Sequence, residues 1–426
     1  MDSEKKQNPK WWGKVIAFLI GQGISLFGSQ IVQMAVIWYV TLETSSGIWV
    51  TVLTLSAFLP QMVISLFAGV WADRYNRKRI IITADTIIAA TTLLLAFFMM
   101  SGNMGEAALP AIIIVSAIRS LGSGIQTPAV NAVIPQIVPE DRLMRANGIN
   151  GSIQSVVQFV SPIAAGAIMA AGPIYNIMFI DVATAVIGIS ILAFIKIPKH
   201  QAAERTEPTS IFTEMKEGLR FTWNHKFLKR MLITYGAYIF FCVPSGFLTA
   251  LMIERTFGDS VMFLTINEAV GFAGALAGGL LLGATGGFKN RNRTFFLGTL
   301  IYGVASFAVG FTNTFWIFAM LMFFIGMTIP AAQTAVFTMV QEKTGPSMLG
   351  RVFSLVNVMF TGFMPLGMAI FGPLADFVRI QTMVIICAFF IILLALSIFL
   401  SRSFYNEGIA ALSTEAEKGC TIDQTD

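Results

Sequence analysis

Long apolar runs alternate with short polar segments along nearly the whole chain. The runs lie at about 15–41, 47–71, 80–101, 108–134, 148–172, 175–196, 228–253, 260–283, 294–312, 315–340, 352–373 and 380–402. Most reach or exceed the roughly 20 residues that a helix needs to cross a bilayer. Residues 1–14 and 403–426 are polar tails, and the segment 197–226 is a polar linker with Pro198 and Pro208. Within it, Ile211-Phe-Thr-Glu-Met-Lys-Glu-Gly-Leu-Arg-Phe-Thr-Trp223 reads as an amphipathic helix lying along the membrane surface. The pattern predicts an all-α polytopic membrane protein with twelve transmembrane helices. They fall into two six-helix bundles, 15–196 and 227–402, joined by the linker 197–226.

Composition narrows this further. Hydrophobic residues make up 55% of the 426 and charged ones only 12%, with a mean hydropathy of +0.74. A soluble globular domain does not carry so much apolar surface. The net charge of +5 is no nucleic-acid signal, because it follows from the topology. Of the 28 Lys and Arg residues, 25 fall in the tails and in loops on one face. Only Arg255 and Arg379 fall on the other face, and Arg119 is left inside a span. Positive loops stay inside, so both termini are expected in the cytoplasm of a multi-pass plasma-membrane protein.

The chain also repeats itself. Pro128-Ala-Val-Asn131 in the fourth run returns as Pro330-Ala-Ala-Gln333 in the tenth, and Pro162 in the fifth returns as Pro365 in the eleventh. Two six-helix halves in parallel orientation are the expected duplication. Between runs two and three lies Gly69-Val-Trp-Ala-Asp-Arg-Tyr-Asn-Arg-Lys-Arg79. Its counterpart, Gly283-Ala-Thr-Gly-Gly-Phe-Lys-Asn-Arg-Asn-Arg293, keeps the bases but has Gly287 where the first copy has an acid. Asp73 falls near a helix C-terminus, where the dipole disfavours a carboxylate. It needs a compensating contact, and one that breaks and reforms suits a gate. The alternative is a basic loop that only sets topology.

The order of Gly69, Asp73, Arg74, Arg77 and Lys78 resembles the loop 2–3 signature of the major facilitator superfamily. Further stretches resemble its drug–proton antiporters, and the macrolide-efflux (Mef-type) proteins in particular. They include Ile118-Arg-Ser-Leu-Gly122, Thr127-Pro-Ala-Val-Asn-Ala132, Ile180-Asp-Val182, Ala277-Gly-Gly-Leu-Leu-Leu-Gly283 and Leu349-Gly-Arg-Val-Phe-Ser-Leu355. The resemblance implies the major facilitator fold and export of macrolides or other amphiphilic antibiotics from a bacterial cell, by exchange for protons; the alternatives are export of another small molecule, such as a siderophore, a peptide or another drug, and a non-transporting membrane sensor or scaffold. It also implies alternating access, with Asp73 and Arg74 at the inner gate. The implied partners are an amphiphilic small molecule, protons and the lipid bilayer. An ATP-binding partner protein, as suggested for some relatives, and a monomeric state complete the expectation.

Charges inside the spans are the candidates for chemistry. Arg119 stays charged at any working pH and is costly in a bilayer unless it faces water or a partner. It either faces a cavity or forms an interhelical ion pair. Asp181 and Glu268 are the clearest intramembrane acids. Each reads as a proton carrier, with two alternatives. Asp181 pairs with Arg119 or makes a bundle hydrogen bond, and Glu268 lies near the interface if its helix begins late. Asp85 reads as an inner-interface residue pairing with the loop bases.

Polar stripes suggest cavity faces. In the first run Gln22, Ser25, Ser29 and Gln33 share one helical face, and in the seventh Tyr235, Tyr238, Cys242 and Ser245 do. Asn131, Gln154, Gln158, Gln333 and Asn357 add polar groups in the fourth, fifth, tenth and eleventh runs. Helix–helix hydrogen bonding is the alternative for each. Phe and Met, 37 and 22 in number, would give a mostly apolar, adaptable wall suited to large amphiphiles.

No enzyme, cofactor or metal site is expected. The two histidines, His200 and His225, lie in the linker, and no phosphate-binding glycine loop is present. Cys242, Cys387 and Cys420 make no disulfide framework.

Overall fold

The computed structural model describes residues 11–102, 107–139, 142–197, 219–344 and 346–401. Residues 211–218 of the expected amphipathic stretch and most of both tails lie outside these residues, while 219–224 at its end are helical. The first half contributes α1 (Trp11–Thr44), α2 (Gly47–Arg74), α3 (Arg77–Met100), α4 (Ala108–Ile137), α5 (Leu143–Ala171) and α6 (Tyr175–Phe194). The second contributes α7 (Lys226–Phe247), α8 (Thr249–Phe257), α9 (Val261–Thr285), α10 (Arg291–Val309), α11 (Phe315–Lys343), α12 (Pro346–Leu374) and α13 (Ile380–Leu400). Among the described residues, ten helices are long and apolar enough to cross a membrane, with α7 and α8 counted as one. α10, of 19 residues, and α12, of 29, fill the two remaining places in the expected order of twelve.

The expected seventh span is two helices because Pro244 interrupts the hydrogen-bond ladder of α7. The helix stops at Leu248, and Thr249 Oγ1 donates back to the Ser245 and Gly246 carbonyls at 2.7 and 2.9 Å. In α2, Pro60 has a similar effect without a break. Ser120 Oγ, from α4, accepts from the Gln61 N–H at 2.9 Å and donates to the Ala57 carbonyl at 2.7 Å. A hydroxyl thus bridges the two groups that pair in an unbroken turn. Both groups are thereby satisfied where water is scarce.

Two compact units form. One comprises Met1–Arg205 with Gly258–Ala269, the other Thr206–Phe257 with Val270–Asp426. In the first, α1 packs against α5 and α6, α3 against α4 and α6, and α2 against α4. In the second, α7 packs against α12 and α13, and α10 against α11 and α13. α9 meets α11 backbone to backbone at Gly274 and Gly278. Each pairing in one unit has its counterpart in the other, so the duplication read from the prolines extends to helix packing. At the basic end of the first unit, Val15, Phe18, Leu19, Ile81, Val133, Ile134 and Leu192 from four helices form a buried core.

The two basic loops differ for a backbone reason. α3 and α10 both start on an asparagine N-cap: Asn76 Oδ1 accepts from the Arg79 N–H at 3.3 Å, and Asn290 Oδ1 from the Asn292 N–H at 3.0 Å. Before α3 only Tyr75 and Asn76 separate two helices, and Asp73 and Arg74 lie in the last turn of α2. Before α10 the chain instead passes through Gly286 and Gly287 at φ +68 and +69. Side chains rarely adopt that left-handed conformation. A glycine therefore replaces the acid, because the second loop turns where the first is still helical.

Glycines also set how near α9 and α11 approach. A Cβ on Gly278 would fall on the Met327 carbonyl oxygen, whereas one on Gly279 meets nothing within 4 Å. Gly278→Ala is expected to cost about 1–3 kcal/mol by overpacking. It should lower the temperature at which detergent-solubilised protein aggregates, while Gly279→Ala leaves that temperature unchanged.

Candidate functional site

Arg119 lies near the middle of α4, inside the first unit. Its Nη1 meets Asp181 Oδ2 of α6 at 2.5 Å and also reaches the Thr92 hydroxyl of α3. Its Nη2 points to the Ser29 carbonyl of α1 at 3.5 Å. Ser29 Oγ completes the cluster by donating to Asp181 Oδ1 at 3.3 Å. The side chains of Arg119 and Asp181 are 13% and 1% exposed, so this is a buried ion pair. One guanidinium ties four helices together.

Local sequence explains how these groups meet. Gly28 precedes Ser29, and a Cβ there would lie 3.0 Å from Asp181 Cα and Oδ1. Gly21 and Gly188 allow the same closeness further along, since a Cβ on Gly188 would come within 2.9 Å of the Gly21 carbonyl. Small residues thus bring α1 against α6 until the Asp181 carboxylate reaches Ser29. Thr92 is oriented by donating to the Ile88 carbonyl at 2.8 Å, which leaves its lone pairs toward Arg119.

A cavity of about 70 Å³ adjoins the cluster. Ser29, Gln33, Gln61, Thr92, Arg119 and Ser120 line its polar side. It has space and polar partners for a few water molecules.

A second buried acid stands apart from the pair. Asp85 of α3 is 3% exposed and accepts from Gln126 Nε2 of α4 at 2.5 Å. Its Oδ2 is buried without a hydrogen-bond partner. The expected pairing of Asp85 with the loop bases is replaced by the bond to Gln126, and Arg77 and Lys78 are engaged elsewhere. Arg77 donates to the Ala132 carbonyl at 2.7 Å. Lys78 donates to the Ala193 and Ile195 carbonyls at 2.7 and 2.8 Å, capping the C-terminus of α6.

The remaining candidates are distributed. Gln22 and Ser25 are buried, and Ser25 packs against Gly188 of α6, while Gln33 borders the cavity. Asn131, Gln154 and Gln158 of the first unit and Gln333 of the second are exposed. Tyr235 and Tyr238 are 4% and 6% exposed and pack inside the second unit against Phe295, with Tyr238 also edge-on to Tyr302. The Tyr302 hydroxyl pairs with Ser245 Oγ at 2.9 Å. Glu268 is half-buried on α9. The side chains of Asp73, Arg74 and Asn357 lie outside the described residues, and Gly69 lies within helical α2.

The Arg119–Asp181 pair predicts a specific energetic pattern. Arg119→Gln or Asp181→Asn alone strands a buried charge and should cost about 3–5 kcal/mol. The double variant removes both charges and should lose less than the sum of the singles. Thermal denaturation of the four proteins in detergent measures the difference.

The chain matches the family model described as Major Facilitator Superfamily over residues 18–367. It is 33% identical over 401 residues to Macrolide efflux protein A of Streptococcus pyogenes, covering 92% of this chain and 96% of that one. To Macrolide efflux protein A of Enterococcus faecalis it is 34% identical over 324 residues, 74% and 98% of the two chains. Among solved structures, a bacterial homologue of the iron transporter ferroportin in its inward-facing state aligns with a TM-score of 0.69 at 15% identity. That alignment covers 92% of this chain and 99% of the other.

Proposed function

The chain belongs to the Major Facilitator Superfamily, and from that premise we propose that it exports macrolides or related amphiphilic antibiotics across a bacterial plasma membrane in exchange for protons. The observation that carries the substrate class is the likeness to macrolide efflux proteins, which runs along both units rather than one motif. The relatives' names say what those proteins do, and the same chemistry is proposed for this one.

The proposed mechanism is alternating access. Both termini lie in the cytoplasm, as the distribution of Lys and Arg supports. Asp73 and Arg74, with Gly69, Arg77 and Lys78, form the inner gate. Arg119 and Asp181 hold the fixed charge of the first unit, and Glu268 is a further acid available to the cycle. The exposed amides of Asn131, Gln154, Gln158 and Gln333 support a wet surface on each unit, because such groups are costly against lipid. Gln22, Ser25, Ser29, Gln33, Tyr235, Tyr238 and Asn357 support the helix faces behind them. Drug and proton are the partners the mechanism requires. A monomer suffices, and an ATP-binding partner is an accessory.

The test is accumulation of radiolabelled erythromycin in drug-sensitive bacteria expressing the protein. Accumulation should be several-fold lower than in control cells and should rise to the control level when a protonophore is added. Equal accumulation in both, with the protein shown to be in the membrane, overturns the macrolide assignment. Low accumulation that ignores the protonophore overturns the proton arm alone.

A further inference from the structure

α3 and α4 run antiparallel, and their polar side chains meet in successive layers. Thr92 meets Arg119, Asp85 meets Gln126, and Arg77 meets the Ala132 carbonyl. Thr92 and Asp85 are seven residues apart on α3, and Arg119 and Gln126 are seven apart on α4. That offset is two helical turns, roughly 10 Å. Between these two layers α3 and α4 close tightly: a Cβ on Gly122 would lie 2.6 Å from Ile88 Cγ1. The Asp85 layer therefore lies beyond this close contact, two turns nearer the basic end than the ion pair.

Among the described residues, no cation is bonded to Asp85. On α4 the charged group is Arg119, bonded to Asp181. On α6 it is Asp181, a like charge. On α3 itself, Arg77 and Lys78 are bonded to backbone carbonyls, and Arg79 is exposed. α2 carries Asp73 and Arg74 in its last turn, with side chains outside the described residues. The hydrogen bond that Asp85 accepts comes from the neutral amide of Gln126, and Oδ2 is a buried orphan. A carboxylate in such surroundings is strongly disfavoured, whereas a carboxylic acid leaves no charge uncompensated.

We propose that Asp85 is the carboxyl that carries the exchanged proton, while Asp181 remains the fixed counter-charge of Arg119. This deepens the export reading and rests on it. In one half of the cycle a proton from water forms an O–H bond at Oδ2. In the other half that bond breaks and the proton returns to water. Positive charge arriving beside the Arg119 layer favours loss of that proton, so a cationic amphiphile and the proton exclude one another. Erythromycin, with its tertiary amine, is a drug of that kind.

The experiment uses the full chain, purified in lipid nanodiscs, as wild type and as Asp85→Asn. Infrared spectra report the carbonyl stretch of a protonated carboxyl. A pH indicator in weak buffer reports protons released when erythromycin is added, and binding of the labelled drug is measured in parallel. The wild type should show a protonated-carboxyl band that is absent from D85N. Erythromycin should release protons from the wild type and none from D85N, although D85N still binds the drug. A band of undiminished intensity in D85N, or equal proton release from it, overturns the proposal. If D85N does not elute as a single species, Asp85→Ser replaces it under the same criteria. A wild type that binds erythromycin without releasing protons defeats the antiport reading. The band then still decides the protonation of Asp85, and its absence overturns that part too.

Discussion

A guanidinium inside a bilayer has to be neutralised by the protein, and much of the first unit's interior follows from that constraint. Arg119 cannot lose its proton, and its position in the middle of α4 leaves it no route to a membrane surface. Asp181 supplies the charge, and Ser29 and Thr92 supply the hydrogen bonds that such a pair needs when dry. The glycines of α1 and α6 are then packing requirements, because a Cβ at Gly28 would push Asp181 away from Ser29. The same economy governs Ser120, which repairs the backbone beside Pro60 one residue along from Arg119.

The duplicated architecture makes the inequality of the halves informative. α1, α3 and α6 of the first unit correspond to α7, α10 and α13 of the second. Where the first set brings together Ser29, Thr92 and Asp181 from three helices, α7 and α10 of the second bring together Tyr238, Ser245 and Tyr302 around aromatic rings. One unit is built around charge and the other around aromatic packing with a few hydroxyls. The proposed exchange of a proton for an amphiphile uses both. Helix packing is nearly the same in the two units, so the difference lies in side chains rather than topology.

Much of this was legible in the sequence. Twelve runs, the paired prolines and the bias of Lys and Arg specify the fold because the bilayer leaves few alternatives to helices of one length. Arg119 and Asp181 stood out as charges in apolar runs, and their pairing was one of two open readings. The environment of Asp85 is not legible in the sequence, because it depends on which helix faces it and not on its distance from the loop along its own helix. The matched spacings of Asp85 to Thr92 and Arg119 to Gln126 were visible, but they mean something only once α3 and α4 are known to be neighbours. The tyrosines of α7 share a polar face in sequence, yet their rings carry enough apolar surface to be buried against Phe295 and Tyr302. Ser120 was beyond reach, since its role depends on a proline in another helix.

The central claim is that a charge cluster in the first unit couples drug movement to protons. Its most direct test is erythromycin uptake by proteoliposomes under an imposed pH gradient, acid inside, with wild type and Arg119→Lys compared. Lysine keeps the charge but has no second nitrogen to reach the Ser29 carbonyl while the first holds Asp181 and Thr92. The account predicts uptake by the wild type that collapses when nigericin dissipates the gradient, and little gradient-driven uptake by the lysine variant despite retained drug binding. Wild-type uptake that is equal with and without the gradient would contradict it.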